Sequence, residues 1–177
     1  MLVPSLYQFF RRQVQHGFGE RGLAEPATVD YVSDILARFA ETSALYPIQD
    51  ADGASLEYIA QFLAEYQRAQ GGDQAPENRP RQAAIVRHLG EYTLFMSGLF
   101  RERLQARGQL GYYMDHGRSA FWQSADFERN PGRAQLFRRL YFNFERISGA
   151  LDYVRRVQFP LKTVPSKDAP LLAMWRT

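Results

Sequence analysis

The chain has 177 residues, of which 45% are hydrophobic and 23% are charged, and its formal net charge is +3. This balance is typical of a folded globular protein and excludes a disordered one. The chain contains no cysteine, which excludes disulfides, thiolate nucleophiles, iron–sulfur clusters and cysteine-based zinc sites. We expect a cytoplasmic protein, and no apolar run approaches the roughly 20 residues that a membrane span needs.

The charge is unevenly distributed along the chain. Residues 1–78 hold five arginines and eleven acidic residues, whereas residues 79–177 hold seventeen basic and eight acidic residues. Such asymmetry can mark an anionic partner. It also arises when opposite parts of one domain neutralise each other, which is the more common situation.

Apolar residues recur at spacings of three and four along most of the chain, and no segment shows the sustained alternation of a strand. This pattern predicts an all-α fold, a single-domain bundle of about six helices with an extended, proline-containing C-terminal tail. Thr28 and Ser55 are the expected N-caps of the second and third helices. Gly90 and Gly98 leave the fourth helix without a side chain at two positions, which would allow another backbone to approach closely.

The predicted helical domain covers residues 1–157, with acidic helices over 4–70 and basic helices over 81–157. Between them, residues 71–80 (GGDQAPENRP) have no large apolar side chain and contain two prolines, which favours a mobile loop. Residues 158–177 form the predicted tail, because its three prolines at intervals of five exclude a regular helix.

The longest apolar stripe predicts one long helix, the spine of the fold, after the turn at Asn130-Pro131-Gly132. This helix carries more arginines than acids, so Arg139 and Arg146 are candidate anion-binding residues. Nonspecific nucleic-acid binding is an alternative function, but it is disfavoured because no helix-turn-helix or RNA-binding signature is present. The stripe consists of Leu136, Leu140, Phe144, Ile147, Leu151 and Val154.

Residues 110–122 (LGYYMDHGRSAFW) place an acid, an imidazole, a guanidinium and a hydroxyl among bulky aromatic residues. On a helix, side chains three and four residues apart are neighbours, which gives one polar stripe and an opposite column of mostly small residues. The column would suit tight packing against another helix. The polar stripe contains Tyr112, Asp115, His116 and Ser119, and the small column contains Tyr113, Gly117, Ala120 and Ser124.

Two interpretations of the polar stripe remain open. In the functional one, His116 is a general base or a ligand, Asp115 lies nearby and Arg118 attracts an anion. In the structural one, which is favoured, the stripe belongs to a helix–helix contact. The candidate ligand-binding residues are Tyr112, Asp115, His116, Arg118 and Ser119, with His88 and Glu91 on the preceding helix.

Known catalytic and metal motifs are missing from the sequence. Adjacent Asp115 and His116 point about 100° apart on a helix, which excludes a Ser-His-Asp relay with Ser119. His88 and Glu91 have the order His-x-x-Glu, the reverse of the motif in carboxylate di-iron bundles. Neither a His-Glu-x-x-His motif nor a glycine-rich phosphate-binding loop occurs. We predict no cofactor and no metal, and favour a non-enzymatic protein.

The leading functional hypothesis is a helical protein that binds a partner macromolecule or associates with itself. An extended tail with apolar residues near residue 175 can occupy a hydrophobic groove, on its own domain or on another chain. Exchange of tails would produce a homodimer. The candidate partner-binding residues are Leu171, Leu172, Met174 and Trp175. The alternative hypothesis is a small-molecule-binding domain or enzyme with a site around Asp115 and His116.

Three short segments carry a resemblance to other proteins: residues 94–100 (LFMSGLF), 111–113 (GYY) and 117–120 (GRSA). Together they resemble a pattern found in a group of uncharacterised bacterial proteins. The resemblance implies a bacterial helical domain and no particular activity.

Overall fold

The computed structural model describes residues 5–45, 51–70 and 78–158. Throughout these ranges, all regular secondary structure is helical, which confirms the predicted all-α class. Within the described ranges, eight α-helices are followed by a short π-helix at Val154–Gln158. The α-helices are α1 Leu6–Gly19, α2 Pro26–Leu45, α3 Ala51–Gln70, α4 Arg79–Leu99, α5 Arg101–Ala106, α6 Leu110–Phe127, α7 Pro131–Phe142 and α8 Phe144–Tyr153.

Local capping explains where two of these helices begin. The Ser5 hydroxyl accepts a hydrogen bond from the backbone N–H of Gln8, and the Gln8 side chain accepts one from the backbone N–H of Ser5. This reciprocal capping box fixes the start of α1. The Asn130 side chain accepts hydrogen bonds from two backbone N–H groups in the first turn of α7, and Pro131 is the first helical residue.

The chain divides into two compact units that alternate along the sequence. Among the described residues, the first contains 5–45, 95–110 and 145–158, and the second contains 51–70, 78–94 and 111–144. The units therefore do not coincide with the acidic and basic parts of the sequence.

Side chains packed against two glycines form close contacts within the first unit. An added Cβ at Gly17 would overlap the side chain of Val154, and one at Gly98 would lie 2.7 Å from the Cβ of Leu151. The space that Gly98 leaves is thus filled by a side chain of α8, whereas the sequence pattern predicts the approach of another backbone. The hydroxyls of Ser97 and Ser148 are hydrogen-bonded at 3.1 Å, so the same region also satisfies buried polar groups.

Aromatic rings dominate the core of the second unit. The Phe121 ring on α6 is fully buried and stacks on Phe137 of α7, with ring centroids 6.1 Å apart. Gly90 of α4 makes room for this ring, because an added Cβ would lie 3.0 Å from its edge. At Gly117, an added Cβ would overlap Thr93 and Phe144. The predicted small column is confirmed as buried: Tyr113, Gly117, Ala120 and Ser124.

The described part of the chain has eight α-helices where six were expected, because two of the predicted helices are interrupted. The first interruption follows α4, where Phe100 has φ −116° and ψ 29° and α5 begins at the next residue. The Phe100 ring is buried beside Phe95, at a centroid distance of 6.1 Å. The break in the helix thus places a large aromatic side chain in the core.

The second interruption divides the predicted spine helix into α7 and α8 at Asn143. Both the backbone N–H and the side-chain amide of Asn143 donate hydrogen bonds to the Arg139 carbonyl oxygen. Asparagine side chains compete with backbone groups in this way and so favour helix ends. The prediction of a single long helix was wrong, although every residue of its apolar stripe is buried.

Neither predicted N-cap stands at the start of its helix. Helix α2 begins at Pro26, so Thr28 lies in its first turn, where the Thr28 hydroxyl donates to the Glu25 carboxylate. Ser55 lies inside α3 rather than at its start. Most of the predicted mobile loop, 71–77, and the tail beyond residue 158 lie outside the described residues.

The Gly117 contact gives a prediction about stability. Gly117→Ala should lower the free energy of unfolding by about 1–3 kcal/mol, because the added methyl group overlaps packed neighbours. The matched control is Gly111→Ala in the same helix, where an added Cβ meets nothing within 4 Å. The control should be neutral or stabilising by up to about 1 kcal/mol. Urea unfolding measures both, and equal effects would contradict the packing described for α6.

A second prediction concerns Tyr153 in the first unit, whose hydroxyl donates a hydrogen bond to the Glu20 carboxylate. This bond raises the pKa of Tyr153, because it favours the protonated phenol, and desolvation and the Glu20 charge act in the same direction. The stabilisation is therefore complete below the ordinary tyrosine pKa of about 10 and is lost as the pH rises through the higher folded value.

We expect wild type to be more stable than Tyr153→Phe at neutral pH, and this difference to shrink above pH of about 10. Chemical denaturation of both proteins at a series of pH values measures this difference in the free energy of unfolding. A difference that stays constant across the alkaline range would show that the hydrogen bond does not contribute.

Candidate functional site

The buried face of α6 determines which side chains the helix exposes. Gly117 lies against Thr93 and Phe144, so this side of the helix turns inward. Residues on the opposite side then point to solvent, since successive residues are about 100° apart. The exposed residues include Asp115, Arg118 and Trp122, and Trp122 keeps 42% of its surface accessible.

A shallow concavity of about 390 Å³ lies on this exposed side, between α6 and α7. Asp115, Arg118, Ser119, Trp122 and Tyr141 line it. Within the described part of the chain, neither the Asp115 carboxylate nor the Arg118 guanidinium forms a hydrogen bond or an ion pair. The concavity therefore presents one negative and one positive charge beside two aromatic rings.

Three aromatic rings and one guanidinium form a continuous surface at this place, which we call the aromatic surface: Arg118, Trp122, Tyr141 and Phe142. The ring centroids of Trp122 and Tyr141 are 4.9 Å apart, and those of Tyr141 and Phe142 are 5.0 Å apart. Trp122 also meets Phe142 edge to face, at 6.3 Å. The Arg118 guanidinium lies over the Tyr141 ring, 5.2 Å from its centroid. Phe142 is 71% exposed.

The two residues at the centre of the functional interpretation, His116 and Asp115, line different cavities. The His116 imidazole packs against the Tyr112 ring, with centroids 4.3 Å apart. It lines a separate cavity of about 40 Å³, together with apolar side chains of α3 and α4. Ser119 lines both cavities, whereas Asp115 lines only the outer one. The helix rotation between adjacent residues separates the two groups.

His88 and Glu91, the other predicted ligand-binding residues, lie on α4 and line neither of these cavities. The His88 ring packs against Phe62 at a centroid distance of 4.9 Å, and Glu91 is only 3% exposed. Glu91 is therefore buried in the second unit, and His88 is partly buried beside Phe62. In the portion of the chain that is described, no group of three or more histidine, aspartate or glutamate side chains could hold a metal ion.

The two predicted anion-binding residues belong to different helices. Arg139 is on α7, and Arg146 is on α8, where its guanidinium donates to the backbone carbonyl of Arg21. Farther along, Arg155 and Arg156 both pair with Asp152, at 3.1 Å. The expected row of arginines on one helix is thus divided by the break at Asn143 and partly neutralised.

Opposite charges in the two parts of the sequence could neutralise each other, and α2 carries several of the acidic residues. Its described ion pairs instead involve nearby arginines: Asp30 pairs with Arg11 of α1, and Asp34 pairs with Arg38 of α2 itself, both at 2.8 Å. Hydrogen bonding to Asp30 raises the pKa of Arg11.

The remaining predicted site, the partner-binding residues of the tail, lies outside the described residues: Leu171, Leu172, Met174 and Trp175. The aromatic surface, by contrast, was not predicted. A signal for it existed, because Tyr141 and Phe142 fall between Leu140 and Phe144 of the buried stripe and so cannot lie on the same side of a helix. Large aromatic residues outside a stripe indicate either an irregular helix or an exposed surface.

Comparisons with models of protein families, with curated proteins and with solved structures found no match to this chain. None of the helices in the described ranges has the length and apolar character needed to cross a membrane. Fold and site together define an all-helical protein with an exposed aromatic and arginine surface.

Substitutions in the aromatic surface and in the core should differ in their effect on the free energy of unfolding. Phe142→Ala should change the free energy of unfolding by less than about 1 kcal/mol, because most of the side chain is already in water. The matched variant Phe121→Ala, which removes a fully buried ring, should cost about 3–5 kcal/mol. Thermal or urea unfolding measures the change in the free energy of unfolding for both variants. A large loss for Phe142→Ala would mean that this ring supports the fold instead.

Proposed function

We propose that this chain is a non-enzymatic helical protein that binds a protein partner through the aromatic surface. The observation that carries the proposal is the exposure of Phe142 and Trp122 within one connected cluster of rings. Single exposed apolar residues are common on protein surfaces, but a contiguous apolar patch is typical of an interaction site.

The composition of the surface suits protein binding. Tryptophan, tyrosine and arginine are the residues that most often dominate the energy of an interface, and all three are present. The rings of Trp122, Tyr141 and Phe142 contact one another and so restrict each other's rotation. Binding then costs less side-chain entropy than it would with freely rotating residues.

A site for a methylated ammonium ligand, which also uses aromatic rings, is less well supported. Such a cation needs an open ring face within about 6 Å. Arg118 already occupies a face of Tyr141, and ring centroids about 5 Å apart leave no slot for a cation between the rings.

The two alternative functions have weaker support from the geometry. A catalytic site needs its acid, base and substrate within hydrogen-bonding distance of one another, but Asp115 and His116 line different cavities. Nonspecific nucleic-acid binding needs many unneutralised cations along one surface, and Asp152 already pairs with Arg155 and Arg156.

Two parts of the proposal rest on the sequence alone. The tail residues Leu171, Leu172, Met174 and Trp175 would add a second apolar contact with a partner. The absence of cysteine favours a cytoplasmic location, where disulfides rarely form.

Site-specific photo-crosslinking tests the proposal without knowledge of the partner. With p-benzoylphenylalanine in place of Phe142, irradiation in cells that produce the protein should give a protein adduct. The same reagent in place of Arg133, which is exposed and lies about 180° from Phe142 around the axis of α7, should not. Trp122→Ala should reduce the adduct at position 142 by at least about 10-fold, as expected for the loss of an anchor residue. Equal adducts at both positions, or none, would contradict the proposal.

A further inference from the structure

The exposed face of α6 carries a regular sequence of groups. Gly111, Asp115, Arg118 and Trp122 follow one another at spacings of four, three and four, which places them along one side of a helix. All four residues are exposed. Tyr112, next to Gly111, is 39% exposed. One end of the face therefore has a glycine and a tyrosine, the middle has two opposite charges, and the other end has a tryptophan.

The two charges in the middle could pair with each other, yet they do not. Residues three apart on a helix are close enough for an ion pair, but Arg118 lies over the Tyr141 ring instead. Asp115 has no ion-pair or hydrogen-bond partner among the described residues. Both charges remain available to a group that approaches from outside.

We infer that the protein partner is a second copy of this chain, bound through α6 about a two-fold axis; this inference rests on the proposed function. In a two-fold interface the same patch must complement itself, so each group must meet its complement at the symmetric position. An unpaired carboxylate and an unpaired guanidinium on one helix face meet this requirement. With the two α6 helices antiparallel, Asp115 of each copy pairs with Arg118 of the other.

The pairing of Asp115 with Arg118 also determines which residues of the second copy lie opposite the two ends of the exposed face of α6. The axis passes between residues 116 and 117, because Asp115 and Arg118 are symmetric about that point. Trp122 then lies opposite Gly111 and its neighbour Tyr112 on the second copy. An added Cβ at Gly111 would meet nothing within 4 Å, so the space above that backbone is open to receive the indole ring.

The aromatic surface continues this interface on the α7 side. Trp122 and Tyr141 line the same concavity as the two charges, and Phe142 contacts both rings. In the proposed dimer, the concavity of each copy receives the exposed Tyr112 of the other. Apolar burial then accompanies the ion pairs, which strengthens them by excluding water.

Charge reversal tests this arrangement. Asp115→Arg gives a chain with two adjacent positive charges, and Arg118→Asp gives one with two negative charges. Each variant alone should weaken self-association by at least about 10-fold, because two like-charge contacts replace two ion pairs. An equimolar mixture should form a heterodimer, and the double variant Asp115→Arg/Arg118→Asp should dimerise like wild type. Sedimentation equilibrium of the full chain measures the dissociation constant of each single variant, of their mixture and of the double variant.

Formation of the heterodimer also shows that both single variants are folded. Arg129→Asp is the matched control, because it makes the same change of charge at an exposed residue beyond α6 and should leave association unchanged. A wild-type chain that stays monomeric up to about 1 mM would overturn the inference. So would a dimer that neither reversal weakens. If a crosslink at position 142 nevertheless captured a different protein, the proposed function would stand and only the identity of the partner would be wrong.

Discussion

The close approach at Gly117 is the constraint on which the candidate site depends. Thr93 and Phe144 occupy the space that a side chain at this position would need, so α6 can pack in one rotational orientation only. Once that orientation is set, the helical repeat directs Asp115 and Arg118 outward. The exposed surface is thus a consequence of packing inside the second unit, and its residues need no special backbone conformation of their own.

A comparison of two weak interactions explains why Asp115 is left without a partner. An exposed ion pair between residues three apart contributes about 0.2–0.5 kcal/mol. A guanidinium over an aromatic ring contributes about 0.5–1 kcal/mol at an exposed site. Arg118 therefore gains more from Tyr141 than from Asp115, as its position over the ring shows. The same contact extends the flat surface beside Trp122. One interaction therefore fixes the position of the Arg118 side chain and leaves the Asp115 carboxylate without a partner among the described residues.

The sequence predicted burial well and helix boundaries less well, for a physical reason. A stripe at spacings of three and four stays buried when one residue interrupts the helix, so the pattern carries no record of the breaks at Phe100 and Asn143. The site was harder to predict. His116 stands beside Asp115 in the sequence, but the helix turns them apart, and the only sign of the exposed Phe142 is its position outside the buried stripe.

Symmetry would explain how so small a surface could hold two chains together. An exposed ion pair alone contributes at most about 1 kcal/mol, which is far below what a stable complex needs. A two-fold axis duplicates every contact, so one tryptophan and one ion pair become two of each, with the entropy of association lost only once. The rings already hold one another in place, which reduces the cost of ordering them further. In this dimer, a second copy differs from other apolar surfaces because it offers a complement to both charges on α6. A neutral partner would leave both charges buried without a complement.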